Sequence, residues 1–360
     1  MKKKVLALVL STVMVVTGLV GCGSTKSETT TETTTETETT TDAATTSTDA
    51  TTSTDATTET ATASSDQTYK VAMICDSSIA DGGWGAACYN AMVASAEENG
   101  FETQYTDGLS TADFASSMRS YCDLGFNLIF APGNQYTDAV NEVAADYPDV
   151  DFALLNGSVE SDNIVSILPD AEQIGYMAGA LAGLMTKSNS IGFIGGMELD
   201  TTKAKLACYE AAAKAVNPSA EVYSAYAGSF SDTAKGKEIA STMISTNNVD
   251  VMFGDASAVD SGAREVLAES EGKYDIGQPS DLLATQESDV VICSVVTDNA
   301  TMLGLCMKDV KEGTFGNKTV YGDLSNGALS VGTFSSAVPA DIQEKYLAIV
   351  ETIKDGTFIK

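Results

Sequence analysis

Tyr69-Lys70-Val71-Ala72-Met73-Ile74-Cys75, then Asp76-Ser77-Ser78-Ile79-Ala80-Asp81-Gly82-Gly83-Trp84, then the alanine-rich run Gly85 to Asn99 closed by Gly100, is the stretch that decides the fold. The first piece is short and apolar, and reads as a buried strand. The second is polar, with two glycines and a large ring, and reads as a loop at a strand end. The third has helix length, and Gly100 stops it.

The same unit recurs along the chain. Strands are predicted at Phe101–Tyr105, Asn127–Phe130, Phe152–Leu155 and Ile164–Leu168, with helices at Thr111–Leu124 and Tyr136–Tyr147. The pattern then restarts. Helices at Ala171–Met185, Thr202–Val216, Asp232–Ser245 and Ala258–Glu269 alternate with strands at Ser190–Ile194, Glu221–Ala227, Val249–Phe253 and Val290–Val296. Helices at Asn299–Glu312 and Asp341–Lys354 complete it. Apolar strands alternating with helices imply an α/β fold whose parallel sheets are covered on both faces. The units are too many for one sheet, so two Rossmann-like lobes are expected. Ligands of such sheets sit beyond the carboxyl ends of the strands. That rule points to Asp76, Gly133, Asn156, Asp255 and Thr297.

Composition narrows the function. The 360 residues are 43% hydrophobic, enough for a sizeable core. Lys+Arg number 20 against 50 Asp+Glu, a formal charge of −30, which repels nucleic acid and anionic membrane surfaces. The chain has no histidine. Ser-His-Asp and Cys-His catalysis and imidazole metal sites are thereby excluded. The G-x-G-x-x-G and Walker spacings are absent, and Gly82-Gly83 forms no phosphate loop. Neither cofactor nor metal is expected.

The first residues read as an address. Lys2, Lys3 and Lys4 precede a mostly apolar run from Val5 to Val20, too short to span a bilayer. It ends Leu19-Val20-Gly21-Cys22, which resembles the bacterial lipobox. That resemblance implies cleavage before Cys22 and its lipidation, and two or more acyl chains anchor a protein stably. Residues 23–68 are threonine-rich and acidic, with Thr-Thr-Ser-Thr-Asp-Ala at 45–50 repeated at 51–56. Without large apolar residues this stretch is expected to be a disordered tether, about 35–40 Å end to end as a flexible coil. Six further cysteines (Cys75, Cys88, Cys122, Cys208, Cys293, Cys306) form no C-x-x-C pair. Most lie in strand- or helix-like runs, and they read as buried free thiols, with disulfides the alternative.

Three loops carry candidate chemistry, each with a plainer alternative. Asp76 to Trp84 is either a pocket wall or a helix cap by Asp81 with Trp84 tucked against the lobe. Ala131-Pro132-Gly133-Asn134-Gln135 either presents amides to a polar ligand or is a turn with an N-cap. In Ser229-Phe230-Ser231-Asp232, Asp232 is a good N-cap, and Phe230 could point into a cleft.

Gly192-Phe193-Ile194-Gly195-Gly196-Met197-Glu198-Leu199 and Ser229-Phe230-Ser231-Asp232-x-x-Lys235-Gly236 resemble the basic membrane protein family, lipoprotein substrate-binding components of ABC importers that include purine-nucleoside receptors. Asp81-x-x-Trp84, Asn163-Ile164-Val165-Ser166 and Gly175-Tyr176-x-x-Gly179 fit the same pattern. The similarity runs from about residue 70 to about residue 355. It implies a type I periplasmic-binding-protein fold with a hinge, closing on a small molecule, with ABC permease and ATPase subunits as partners. The implied organisation is a signal peptide (1–22), a tether (23–68), an N-terminal lobe of 69–168 plus about 298–325, and a C-terminal lobe of 169–297 plus about 326–360.

The resemblance also implies an aromatic sandwich, with Trp84 and Phe230 at the matching positions, one per lobe. The remaining candidates for ligand contact are Asp76, Ser77, Asp81, Asn134, Asn156, Asp255, Ser257, Asp281 and Thr297. Three positions depart from the nucleoside receptors. Asn156 stands where they carry an acid, Gln278-Pro279-Ser280 replaces a carboxylate loop with Asp281 offset, and Thr297-Asp298 replaces a lysine. The last two normally grip the ribose, so the clamp is expected to persist while the sugar end is rewritten. A ligand sensor of the same fold, feeding a membrane kinase or chemoreceptor, is the alternative function.

Overall fold

The computed structural model describes residues 68–80, 84–285 and 289–359. Two parallel-dominated sheets with alternating helices make up this part of the chain. The first sheet holds β1 (Tyr69–Ile74), β2 (Phe101–Thr106), β3 (Leu128–Ala131), β4 (Asp151–Leu155), β5 (Ile164–Pro169) and a late strand, β11 (Lys318–Gly322). Its order is β11-β5-β4-β3-β1-β2, and every pairing is parallel. The second holds β6 (Ser190–Gly195), β7 (Glu221–Tyr226), β8 (Val251–Asp255), β9 (Tyr274–Gly277), β10 (Val291–Thr297) and β12 (Leu329–Val331). Its order is β12-β10-β9-β8-β6-β7, with only β12 antiparallel. The two lobes thus repeat one strand order. In each, the order reverses beside the first strand, between β1 and β3 and between β6 and β8.

Double coverage explains why β1 is apolar at consecutive positions. Val71, Met73 and Cys75 pack toward α1 (Trp84–Asn99) and α9 (Asn299–Glu312). Ala72 and Ile74 pack on the other face toward α2 (Phe114–Asp123) and α3 (Thr137–Asp146). In the second lobe Ile191 and Phe193 meet α4 (Ala171–Met185), α5 (Asp200–Val216) and α10 (Ala340–Lys354). Ile194 faces α6 (Thr233–Asn247) and α7 (Ala258–Ala268). All six cysteines of this part are free and buried. Burial pushes the Cys88, Cys122, Cys208, Cys293 and Cys306 thiols up, so they stay protonated and behave as small hydrophobes.

A glycine stripe sets the closest helix contact. Gly175, Gly179 and Gly183 of α4 press on Lys205, Tyr209 and Ala213 of α5, largely on backbone. A Cβ at Gly179 would collide with the Tyr209 carbonyl. Here glycine serves close approach rather than an unusual dihedral.

The chain crosses between lobes three times. β5 leads into α4 at Asp170, β10 into α9 at Asp298, and β11 returns to β12 through Asp323. Asp170 and Asp298 cap their helices, each accepting from two backbone N–H groups. The crossings are laced together. The Asp170 N–H donates to Gly322 O at 2.8 Å, the Asp298 N–H to Ala328 O at 2.7 Å, and the Leu324 N–H to Gln173 Oε1 at 2.9 Å.

The sequence pattern missed β9, β11, β12 and a short helix, α8 (Leu282–Thr285). Among the described residues no helix is long and apolar enough to cross a membrane. The lipobox with Cys22, the tether up to residue 67 and Asp81 lie outside the described residues.

Candidate functional site

The order reversals place four loops at strand carboxyl ends: two from β1 and β3, two from β6 and β8. Trp84 opens α1, and its ring is 40% exposed. Its indole Nε1 donates to the Pro132 carbonyl at 2.7 Å, which ties the loop after β1 to the loop after β3. Asp76 sits between them. Its N–H donates to the buried Tyr136 hydroxyl at 2.7 Å, and its Oδ2 accepts from Gln135 Nε2 at 3.0 Å. Burial pushes the Tyr136 phenol well up, so it stays a neutral hydroxyl. Ser77 turns back, its hydroxyl 3.4 Å from Cys75 Sγ. Asn134 and Asn156 are exposed, and Asn156 takes a left-handed conformation (φ 58°) in which its N–H still reaches Ile167 O at 2.8 Å.

On the second lobe Phe230 is 42% exposed, and one side of its ring lies over Gly196. A Cβ on Gly196 would enter that ring. The Phe230 carbonyl accepts from the Ala258 N–H at 3.0 Å. Asp232 caps α6 through Lys235 N at 3.0 Å, so the helix cap and the exposed aromatic coexist in one loop.

Asp255 ends β8, and its carboxylate is held within the protein. Oδ1 accepts from Lys205 Nζ at 2.7 Å and Gln278 Nε2 at 3.2 Å, while Oδ2 accepts from Thr202 Oγ1 at 2.7 Å. Ser257, two residues on, adopts φ 58° and ψ −117°, an unusual conformation for a residue with a side chain. Asp281 is likewise engaged. Its Oδ2 accepts from the Thr333 N–H at 2.8 Å and hydroxyl at 2.7 Å. Burial raises its carboxyl, but these hydrogen bonds outweigh that and hold it below its usual value. Thr297 ends β10, its N–H on Pro279 O at 2.8 Å.

Apart from Ser77, which turns back toward Cys75, the described candidates fall into two groups. Asp76, Trp84, Asn134 and Asn156 in one lobe, and Phe230, Ser257 and Thr297 in the other, stand at strand ends. Asp255 and Asp281 stand there too, but as anchors for neighbouring chain. Sequence reasoning missed Thr202 and Lys205, which hold Asp255, and Tyr136, whose hydroxyl takes the Asp76 N–H. The i, i+3 spacing of Thr202 and Lys205 at the start of α5 was the available signal. No group of three or more Asp, Glu or Cys among the described residues is arranged to hold a metal ion.

Known proteins share this architecture. A transcriptional activator of the comK gene from Bacillus halodurans superposes with a TM-score of 0.72 at 24% identity, covering 81% of this chain and all of that one. An ABC transporter solute-binding protein from Conexibacter woesei gives 0.63 at 22% identity, covering 80% and 97%. In sequence, the ABC transporter nucleoside-binding protein BmpA of Lactococcus lactis is 28% identical over 73% of this chain and 81% of its own length. The transcriptional activator protein med of Bacillus subtilis is 25% identical over 79% and 88%. Residues 68–358 match the model of the Bmp family, and the chain thus belongs to this family of PnrA-like ABC transporter substrate-binding proteins.

Proposed function

We propose that the protein is a lipid-anchored, extracytoplasmic receptor that captures a flat, ring-containing solute, nucleoside or nucleobase-like, and delivers it to an ABC permease with its ATPase. The observation that carries this reading is the pair of half-exposed aromatics, Trp84 and Phe230, one at the strand ends of each lobe. The Trp84 ring is tied to the Pro132 carbonyl, and the backbone of Phe230 is tied to Ala258. Stacking on such rings contributes about 1–3 kcal/mol per base and tolerates any flat ring. The nucleoside-binding name of the Lactococcus relative favours the same ligand class. A ring held between lobes couples occupancy to closure about the laced crossings, which a permease can sense. The Cys22 lipobox supplies the anchor.

A thermal-shift screen of the full-length protein with inosine, hypoxanthine and ribose tests the ligand class. Ligand at 100 times its Kd adds about 2.7 kcal/mol of stability. Stabilisation by inosine or hypoxanthine supports the reading, and stabilisation by ribose alone contradicts it.

The names of the Bacillus relatives, transcriptional activators both, favour a second reading in which the receptor reports a ligand to a regulatory partner. Ligand uptake into vesicles reconstituted with permease and ATPase separates the two readings.

A further inference from the structure

Asp260 belongs to the first turn of α7 and is 7% exposed. Its Oδ2 accepts from the Ala256 N–H at 2.9 Å, and its own N–H donates to the Ser257 carbonyl at 3.1 Å. One residue thus closes over the turn that follows β8. Its other oxygen, Oδ1, is buried without a hydrogen-bond partner among the described residues. The carboxyl rests on Gly254, where any side chain would collide with it.

The turn it holds bears Ser257 and is bonded to the backbone of Phe230. Ser257 is kept at φ 58°, ψ −117°, and no side chain caps the helix there. Ala258 N–H donates to the Phe230 carbonyl, so the position of the turn is passed to the aromatic. A charged carboxylate in this place would be desolvated with one oxygen unpartnered, a cost the single Ala256 N–H does not offset; the neutral acid avoids burying that charge, although its hydroxyl still lacks a partner.

The surrounding charges do not relieve it. Asp275 of β9 is buried and paired with Arg264 of α7 at 3.2 Å. Asp255 of β8 is already matched by Lys205 of α5. The charged side chains of α6 pair at the surface, Lys235 with Glu238 and Lys237 with Glu265 of α7. Burial pushes the Asp260 carboxyl up to about 8; the Ala256 N–H and Arg264 lower it, and Asp275 and Asp255 raise it.

We propose that Asp260 is a positioning residue: its neutral carboxyl holds the 255–258 turn, and through it Phe230, in the ligand-ready arrangement, and its ionisation releases that turn. The proposal rests on the reading that Phe230 and this turn face the ligand.

Hydrogen exchange on the full-length protein tests the release without any ligand. Corrected for intrinsic exchange, amides of residues 256–260 of the wild type should lose protection progressively, by about tenfold or more, as pH rises from 5 toward about 8, and level off above that. Asp260→Asn, which mimics the neutral acid, should keep it. Should the variant not fold, the wild-type fall and plateau alone decide, and a flat profile overturns the proposal. With inosine as probe, wild-type affinity should fall about tenfold over the same range, because apparent affinity scales with the competent fraction. The Asn variant should stay flat. An equal fall in both proteins overturns the proposal. If inosine binds neither protein at any pH while the exchange contrast is present, the nucleoside reading fails and the positioning role stands.

Discussion

The indole of Trp84 donates to the carbonyl of Pro132, 48 residues away, at 2.7 Å. This bond joins the two loops that flank the order reversal of the first sheet. It leaves the ring half exposed but fixed, so little freedom is lost when a ligand stacks on it.

That bond separates two roles of one side chain. Trp84→Ala should weaken binding of a ring ligand tenfold or more, about 1.4 kcal/mol. Trp84→Phe keeps a ring but loses the N–H, and should weaken it less. Calorimetric titration ranks the three proteins. Equal affinities in all of them would remove Trp84 from the site.

Phe230 can be tested from beneath. Gly196→Ala places a Cβ where the ring lies, so the ring must move. Affinity should fall several-fold toward that of Phe230→Ala, which itself should lose about tenfold. Chemical denaturation should show Phe230→Ala nearly as stable as the wild type, since the ring is exposed.

The α4–α5 contact is predicted to be intolerant. Gly179→Val drives a side chain into the Tyr209 backbone and should cost about 3 kcal/mol or more. Urea unfolding measures it, and a loss below 1 kcal/mol would show that the helices separate easily.

Stability should also depend on one acid remote from the cleft. Burial, and secondarily Asp309, push the Asp151 carboxyl up to about 7. Its neutral form is the one the folded state favours. The contribution is fully present below the unfolded value near 3.8 and is lost as pH rises through about 7. Asp151→Asn should therefore stabilise the protein at pH 8 relative to wild type, by about 1 kcal/mol given partial solvent screening, and not at pH 4. Melting curves at the two pH values check this.

Cys22→Ser should release the protein from the membrane fraction of its host. Retention of the variant in that fraction would refute lipidation at this residue.

Much of this architecture is legible in the chain. β1 and its neighbours declare themselves because a strand covered on both faces must be apolar at consecutive positions, as Val71 to Ile74 are. β9 does not, because its four residues include Asp275 and Gly277, and that aspartate is held inside by pairing with Arg264, a residue of another element. β12 has three residues, and three carry no periodicity. Trp84 stands out as the single tryptophan of the chain. The commitment of Asp255 to Lys205 and Thr202 does not, because it arises from side chains 50 and 53 residues apart that only the folded strand end brings together.

The lone tryptophan makes the central claim directly measurable. Inosine titrated into the full-length protein should change Trp84 fluorescence saturably, and Phe230→Ala should weaken that response about tenfold. A saturable response of unchanged affinity in Phe230→Ala would contradict a clamp built from both lobes.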